Sequence, residues 1–431
     1  MGKNGSFELV PYLCSLYNLR RNQWQGSHEL QRQQEDRLRA IVTHAYEKVD
    51  YYRKLFDHSG IKPEDIQTTQ DLVKIPITNR KNLQALPHKE IVTRGVDLSR
   101  CVNLRTSGSS GMPLDIFIDS REKMLSWLFY RRVYFENGGT LSDRQLRITI
   151  PQYFRAERWF QYLGILQEKY ISVFNDIESQ LSVILEFKPS IIGGYASSLK
   201  NLASKVKNEK IKGINPRIIF SVAESMSERD REFIASVFKS EIIDYYACNE
   251  CGIIAWECKE HSGYHIDSEN VIVEFIKKDG TQARTGEEGE IVITSLNAYT
   301  MPFIRYKLGD IAIPSGRQCP CGRTLPLIEK IIGRSSDSFI LPNGIKIHPF
   351  SLTCKIENIQ GISQYQVIQQ KRDKVRIYIV KNDSYSCKTS FDLAENCKHV
   401  LGDNVVIEII IVDEIPDSRI GGKFQAIKSE L

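Results

Sequence analysis

Residues 189–252 read PSIIGGYASSLKNLASKVKNEKIKGINPRIIFSVAESMSERDREFIASVFKSEIIDYYACNECG. Three short apolar runs, PSIIGG (189–194), RIIFSV (217–222) and EIIDYYA (241–247), are each too short for a helix and rich in β-branched residues, so they predict buried strands. Between them SSLKNLASKVKN (197–208) and SERDREFIASVF (227–238) repeat apolar residues at three- and four-residue spacing and predict helices. Strand alternating with helix in this way predicts an α/β layer architecture.

Working toward the N-terminus, SQLSVILEF (179–187) predicts a helix and RQLRITI (144–150) a strand. A helix is expected over about 121–137 and a strand in LDIFID (114–119). Residues 30–58 carry Leu38, Ile41, Val42, Ala45 and Val49 at helical spacing, with Gly60 and Pro63 closing the segment. Residues 68–86 are turn-rich, and Pro76 breaks any helix there. Toward the C-terminus the chain becomes β-rich. VIVEFI (271–276), GEIVITSL (289–296), MPFIRY (301–306) and DIAIP (310–314) are strand candidates divided by turn residues. A boundary is expected within 333–337, giving a core domain over 1–335 and a small α+β domain over 336–431.

Bulk properties agree with a globular protein. The 431 residues are 41% hydrophobic and 26% charged, which excludes disordered and fibrous classes. A net charge of +5 from 58 basic and 53 acidic residues is a weak field and gives no reason to expect nucleic acid as a partner. No apolar stretch is long enough to enter a membrane as a spanning helix. The N-terminal segment lacks the pattern of a signal peptide, although Met1-Gly2 with Ser6 weakly fits a myristoylation signal. Ten cysteines without an export signal suit reduced thiols or metal ligands and a cytoplasmic location.

Five segments can carry chemistry. Thr106-Ser107-Gly108-Ser109-Ser110-Gly111-Met112-Pro113 lets backbone amides and hydroxyls wrap phosphate oxygens; the plainer reading is a flexible loop. It lacks the Gly-Lys-Ser/Thr ending of a Walker A loop. Glu250 follows a predicted strand, where a carboxylate can hold Mg²⁺ against nucleotide phosphates or act only as a surface or capping residue. Asp310 follows Gly309 and can accept from ribose hydroxyls or serve a turn. Ile332-Gly333-Arg334 is the fourth. Gly421-Gly422-Lys423 is the fifth, where a lysine could meet developing negative charge or be merely solvated.

In order and spacing these segments resemble the adenylate-forming superfamily of acyl-CoA synthetases and adenylation domains. More closely they resemble its phenylacetate–CoA ligase branch and CapK-like relatives. The resemblance spans nearly the whole chain, through TSGSSGMP, PSIIGGYASSLKNLA, SVAESMSE, DYYACNECG, GEIVITSL, MPFIRYKLGD, CPCGRTLPLIEKIIGRSSD and GGKFQ. It implies a large N-terminal domain of two packed β-sheets flanked by helices, with a β-rich subdomain, and a mobile C-terminal lid.

The resemblance also implies roles. Thr106 to Gly111 would grip the ATP β- and γ-phosphates, Ala223 and Glu224 would flank adenine, and Tyr246 would stack on it. Glu250 would coordinate Mg²⁺, Asp310 the ribose, Arg334 the ribose-phosphate region, and Lys423 would bridge the substrate carboxylate and α-phosphate. A small-molecule carboxylic acid, aryl or arylalkyl by the same resemblance, would become an acyl-AMP. Transfer to a thiol such as coenzyme A would follow; the alternatives are an amine as acyl acceptor, transfer of AMP to a cofactor hydroxyl, or a non-catalytic nucleotide-binding protein, and a homodimer is compatible with the family. Tyr153, Phe154, Trp159, Phe160, Tyr162 and Tyr195 supply aromatic surface either to the acid pocket or to ordinary core. The chain departs from the family pattern at Ala247, Cys248, Asn249, Leu114 and the hinge position Ser336.

Cys258, His265, Cys319 and Cys321 make a Cys₃His set of the kind that holds structural Zn²⁺, and the same branch commonly carries this pattern. His261 and Cys251 are rival ligands, and free buried thiols are the alternative.

Overall fold

The computed structural model describes residues 9–105, 114–224, 226, 228–333, 339–347, 349–356, 359–413, 415 and 427–431. The strands and helices read from 189–252 form as Ile191–Gly194, Ala196–Asn208, Ile218–Val222, Glu228–Phe238 and Glu241–Cys248. These strands, with Arg144–Thr149 and Gln167–Ser172, are parallel, in the spatial order 167–172, 144–149, 191–194, 218–222, 241–248.

The same hydrogen-bonded path continues, now antiparallel, through Gly252–Glu257, Tyr264–Ile266, Leu327–Gly333, Tyr306–Ser315, Gly289–Ser295 and Val271–Ile276. Main-chain pairing thus joins the parallel half and the β-rich half into one path. Helices cover both faces of the parallel half. Leu181, Ile184, Leu199, Leu202, Ile234 and Phe238 pack on one side. On the other, helix Ser120–Glu136 lays Trp127, Tyr130, Val133 and Tyr134 against Phe220, Ile243, Tyr245 and Trp256. That helix begins where Asp119 accepts from the Glu122 amide at 2.8 Å and Glu122 accepts from the Asp119 amide at 3.0 Å, a reciprocal cap.

The helix expected over 30–58 divides at Val49, whose φ of −121° and ψ of 116° are extended, into Ser27–Lys48 and Asp50–His58. The break turns Tyr52 and Phe56 into the same cluster as Leu38, Ile41, Val42 and Ala45, all 0–1% exposed. Each such apolar side chain contributes about 1.5–3 kcal/mol as an upper estimate.

The strand expected at 301–306 does not form before Tyr306, which begins one strand, Tyr306–Ser315, that absorbs the run at 310–314. Pro302 has no amide hydrogen for a ladder, and Arg305 has a left-handed φ of 46°. Met301, Phe303 and Ile304 are instead buried in a loop whose backbone is satisfied by side chains. Tyr52 donates to the Pro302 carbonyl at 3.0 Å, and the Ile304 amide donates to the Tyr52 hydroxyl at 2.9 Å.

A second sheet, in the order Val406–Ile411, Lys374–Lys381, Ile362–Lys371, Ile427–Ser429, shares no strand with the first among the described residues. Helices Pro349–Ile356 and Cys387–Leu401 pack with it around Val367, Val375, Ile377, Leu393 and Cys397.

Candidate active site

The site is assembled at the carboxyl ends of the parallel strands, where open α/β sheets bind ligands. Strand Ile218–Val222 runs into Ala223, whose φ of +69° is unusual for a residue with a Cβ. Glu224 follows. Its carboxylate accepts from the Ser197 amide at 2.7 Å and the Ser197 hydroxyl at 3.0 Å, at the N-terminus of helix Ala196–Asn208. Beside that contact lies a cleft of about 620 Å³, with Asn175, Ser179 and Ser197 on one side and Ser351 and His399 on the other.

Strand Glu241–Cys248 carries Tyr246, whose hydroxyl donates to Asp310 Oδ2 at 2.6 Å. The residues expected at adenine and ribose therefore meet, though 64 positions apart. Gly333 pairs with Ile311, so the residue preceding Arg334 lies beside the one following Asp310. The strand turns at Asn249-Glu250 into Gly252–Glu257, and Glu250 is 6% exposed. Tyr306 is its neighbour. Burial raises that phenol's pKa, and the Glu250 carboxylate raises it further.

Thr106, Ser107, Gly108, Ser109, Ser110 and Gly111 lie outside the described residues, as do Arg334, Ser336 and Lys423. The flanks of the phosphate-loop candidate are described. Val102–Arg105 and Asp115–Ile118 pair antiparallel, with Arg105 opposite Asp115. Asn249 holds this ribbon to the Glu250 turn: its Nδ2 donates to the Arg105 carbonyl at 3.1 Å, and its Oδ1 accepts from Tyr153 at 2.8 Å. Sequence reading registered Asn249 only as a departure from a pattern. A polar residue beside the catalytic candidate was the available signal, but its partners are 144 and 96 positions away.

Of the aromatic candidates, Phe160 and Tyr195 are buried, while Phe154, Trp159 and Tyr162 are exposed. Tyr153 is spent on Asn249.

The four zinc candidates come together. One ligand atom from each of Cys258, His265, Cys319 and Cys321 lies within 4.8 Å of the others. Cys258 Sγ is 3.6 Å from Cys319 Sγ, and Cys321 Sγ is 3.4 Å from His265 Nε2. Ligand separations in a tetrahedral Zn–S/N site are roughly 3.4–3.8 Å, so the donor set fits. Burial, then the charge of Arg323, pushes the His265 imidazole down to about 4, which keeps it neutral as a ligand must be. Burial pushes the Cys258 thiol up to about 12. At Cys321 the same effect of burial is outweighed by the backbone and side-chain N–H groups of Arg323, and the thiol falls below its ordinary value. Gly263 makes the approach possible: its φ is +123°, and a Cβ there would stand 2.6 Å from the Ile328 carbonyl oxygen. The rivals are engaged elsewhere. His261 meets Glu241 at 2.6 Å, and Cys251 lies 3.5 Å from Cys248.

No described helix is long and apolar enough to cross a membrane.

Residues 339–430 match the family model of the CapK C-terminal domain. Over 421 residues the chain is 25% identical to a phenylacetate–coenzyme A ligase of Escherichia coli K12, covering 91% of this chain and 93% of that one. It is 20% identical to protein CapK of Staphylococcus aureus over 410 residues, 92% and 88% of the two chains. Among solved structures, 2-hydroxyisobutyryl-CoA ligase with its acyl-AMP and CoA superposes with a TM-score of 0.69 at 17% identity, over 95% of this chain and 92% of that one. The fold is that of the adenylate-forming ligases. Within that fold the chain is phenylacetate–CoA-ligase-like and CapK-like, as its motifs implied.

Proposed function

We propose that this protein is an ATP-dependent, AMP-forming ligase. It activates a small-molecule carboxylic acid to an acyl-AMP with release of pyrophosphate, then passes the acyl group to a thiol such as coenzyme A. The observation that carries the reading is the convergence of Tyr246, Asp310 and Glu250 at the carboxyl ends of the parallel strands, with Asn249 fastening the phosphate-loop ribbon to the Glu250 turn. Likeness over nearly the full length to phenylacetate–CoA ligases supports it.

In this reading Tyr246 and Glu224, next to Ala223, hold the adenine side and Asp310 the ribose. Glu250 presents a hard oxygen to Mg²⁺, which neutralises phosphate charge when bound. Thr106 to Gly111 hold the phosphates, while Arg334 and Lys423 meet the charge that develops at the α-phosphate. Catalysis then consists mostly of positioning and electrostatic stabilisation. Residues 336–431 act as a lid on a core of 1–335, and lid closure excludes water. Cys258, His265, Cys319 and Cys321 hold a structural Zn²⁺ that ties the hairpin 252–266 to residues 319–321. A cytoplasmic location, and a homodimer as the assembly, complete the proposal.

The test is carboxylate-dependent ATP–PPi exchange without CoA, across aryl, arylalkyl, aliphatic and amino acids, followed by addition of CoA. Exchange with one class and a thioester on adding CoA is the expected result. Absence of exchange in protein that binds ATP would reject the reading.

A further inference from the structure

Under helix Ser120–Glu136, on the face formed by strands Arg144–Thr149, Gln167–Ser172 and Glu241–Cys248, lies a group of cations with one carboxylate among them. Arg131 donates to Glu168 at 2.6 Å, with side chains 1% and 7% exposed. That pair is complete, and Tyr170 adds a bond to Glu168 at 3.1 Å. Arg147 has no such partner. Its guanidinium reaches the Tyr245 hydroxyl at 3.3 Å and lies 4.7 Å over the Tyr130 ring. Arg155 is half-buried beside Tyr170, Arg147 and Glu168. Lys123 stands near Arg155 and Arg158.

Among the described residues no carboxylate makes an ion pair with Arg147 or Arg155. The acidic groups closest in sequence are turned elsewhere: Asp143 pairs with Arg217 and accepts from the Ser190 hydroxyl at 2.7 Å, and Glu157 bonds Tyr162. The excess of positive charge shows at Glu168, Arg155 and Lys123, whereas at Arg147 burial is outweighed by Tyr245, Tyr130, Tyr170 and Glu168, which favour its charged form. Burial alone would raise Glu168, but Arg131, Arg147 and Arg155 together bring its carboxyl below the ordinary range. Burial lowers Arg155. Burial, then the charges of Arg155 and Arg158, lowers Lys123. Several cations withdrawn from water with one carboxylate among them cost stability, and perturbed groups of this kind mark candidate binding sites.

The group also lies near the strand ends that carry the candidate site. Tyr245 shares a strand with Tyr246, with their side chains on opposite faces of the sheet. Arg147 is two residues, roughly 7 Å, before the end of its strand. The loop beyond that strand returns through Tyr153 to Asn249, the neighbour of Glu250. Tyr130, Tyr170 and Tyr245 present aromatic rings to the same region.

We propose that the carboxylic acid activated here carries a second anionic group at its far end, and that Arg147 and Arg155 bind that group between aromatic walls. The inference rests on the ligase reading above. The ligand class is an aryl or comparably flat acid bearing a second carboxylate, phosphate or sulfate. Arg147 and Arg155 set specificity and take no part in the chemical step.

The test compares phenylacetate with 4-carboxyphenylacetate in ATP–PPi exchange, using the wild type, Arg155→Gln and Arg155→Lys. Charge-assisted hydrogen bonds predict a preference of about tenfold or more in kcat/KM for the dianion in the wild type. Arg155→Gln should collapse that ratio and Arg155→Lys restore part of it. A wild type that favours phenylacetate, or a ratio untouched by Arg155→Gln in folded protein, overturns the proposal. If neither acid supports exchange, the ligase reading fails separately, and calorimetric binding of 4-carboxyphenylacetate decides the site. Binding by the wild type and not by Arg155→Gln retains it, and equal or absent binding removes it.

Discussion

The Asn249 side chain donates to the backbone carbonyl of Arg105 at 3.1 Å, joining the turn that carries Glu250 to the ribbon that carries the phosphate-loop candidate. An Mg²⁺ site built from one carboxylate and the phosphates of a nucleotide needs those two segments in fixed register. Asn249 supplies it through an amide that also accepts from Tyr153.

Asn249→Ala should therefore impair adenylation more than it impairs folding. Two hydrogen bonds of about 0.5–1.5 kcal/mol each are lost, which predicts a fall of roughly 5- to 150-fold if their whole contribution falls on the transition state. Steady-state ATP–PPi exchange across ATP concentrations measures it. A variant with wild-type kcat and KM for ATP would show that the contact is incidental.

Lys423→Ala should reduce acyl-AMP formation by orders of magnitude while the melting temperature stays put. In the proposed role Lys423 acts on charge that develops in the transition state, so its loss is expected in kcat. Single-turnover formation of the adenylate gives the answer, and an unchanged rate removes Lys423 from the mechanism.

Cys319→Ser should lower both metal content and stability. A structural Zn²⁺ contributes its binding free energy to folding, so the melting temperature should drop by several degrees or more. Elemental analysis of protein purified without chelator should give about one zinc per chain for the wild type. A metal-free wild type would reject the site.

Asp244 gives a pH dependence with a defined sign. It is buried, and that burial, followed by the like charge of Glu257, raises its carboxyl to about 6; the Tyr264 hydroxyl, which donates to it at 2.8 Å, and Arg231 act in the opposite sense. The folded chain then holds a proton that the unfolded chain releases near the ordinary value of 3.8. The protonated acid favours the fold, so this group's contribution declines as pH rises from about 4 to about 6, by up to ~3 kcal/mol. Asp244→Asn should melt with a flatter profile over that window. Parallel melting curves for the two proteins between pH 4 and 7 would contradict the assignment.

Much of this molecule was legible in its sequence. The strands and helices of 189–252 form within a residue or two of their expected bounds, because a period of 2 or 3.6 is a local property of the chain. The four zinc candidates were readable because the branch that the chain resembles commonly carries a Cys, then Gly-x-His, then Cys-x-Cys-Gly.

What failed was decided by contacts remote in sequence. Apolar residues at 301–304 look like a strand, but they are buried in a loop because Tyr52, some 250 positions earlier, satisfies its backbone. Phe154, Trp159 and Tyr162, open in the sequence to pocket lining or ordinary core, are exposed and not core. Arg147 and Arg155 carried no motif at all, and Asn249 looked like a blemish.

The sequence by itself determined the α/β class, the order of elements and the chemical types available at the site, since periodicity and turn chemistry are written in neighbouring residues. Only the tertiary structure decided that Tyr246 meets Asp310, that Asn249 ties Arg105 to the Glu250 turn, and that Glu168 stands among Arg131, Arg147 and Arg155. The reason is physical. Which polar groups are buried together, and whether their charges balance, depends on distances that no spacing along the chain encodes.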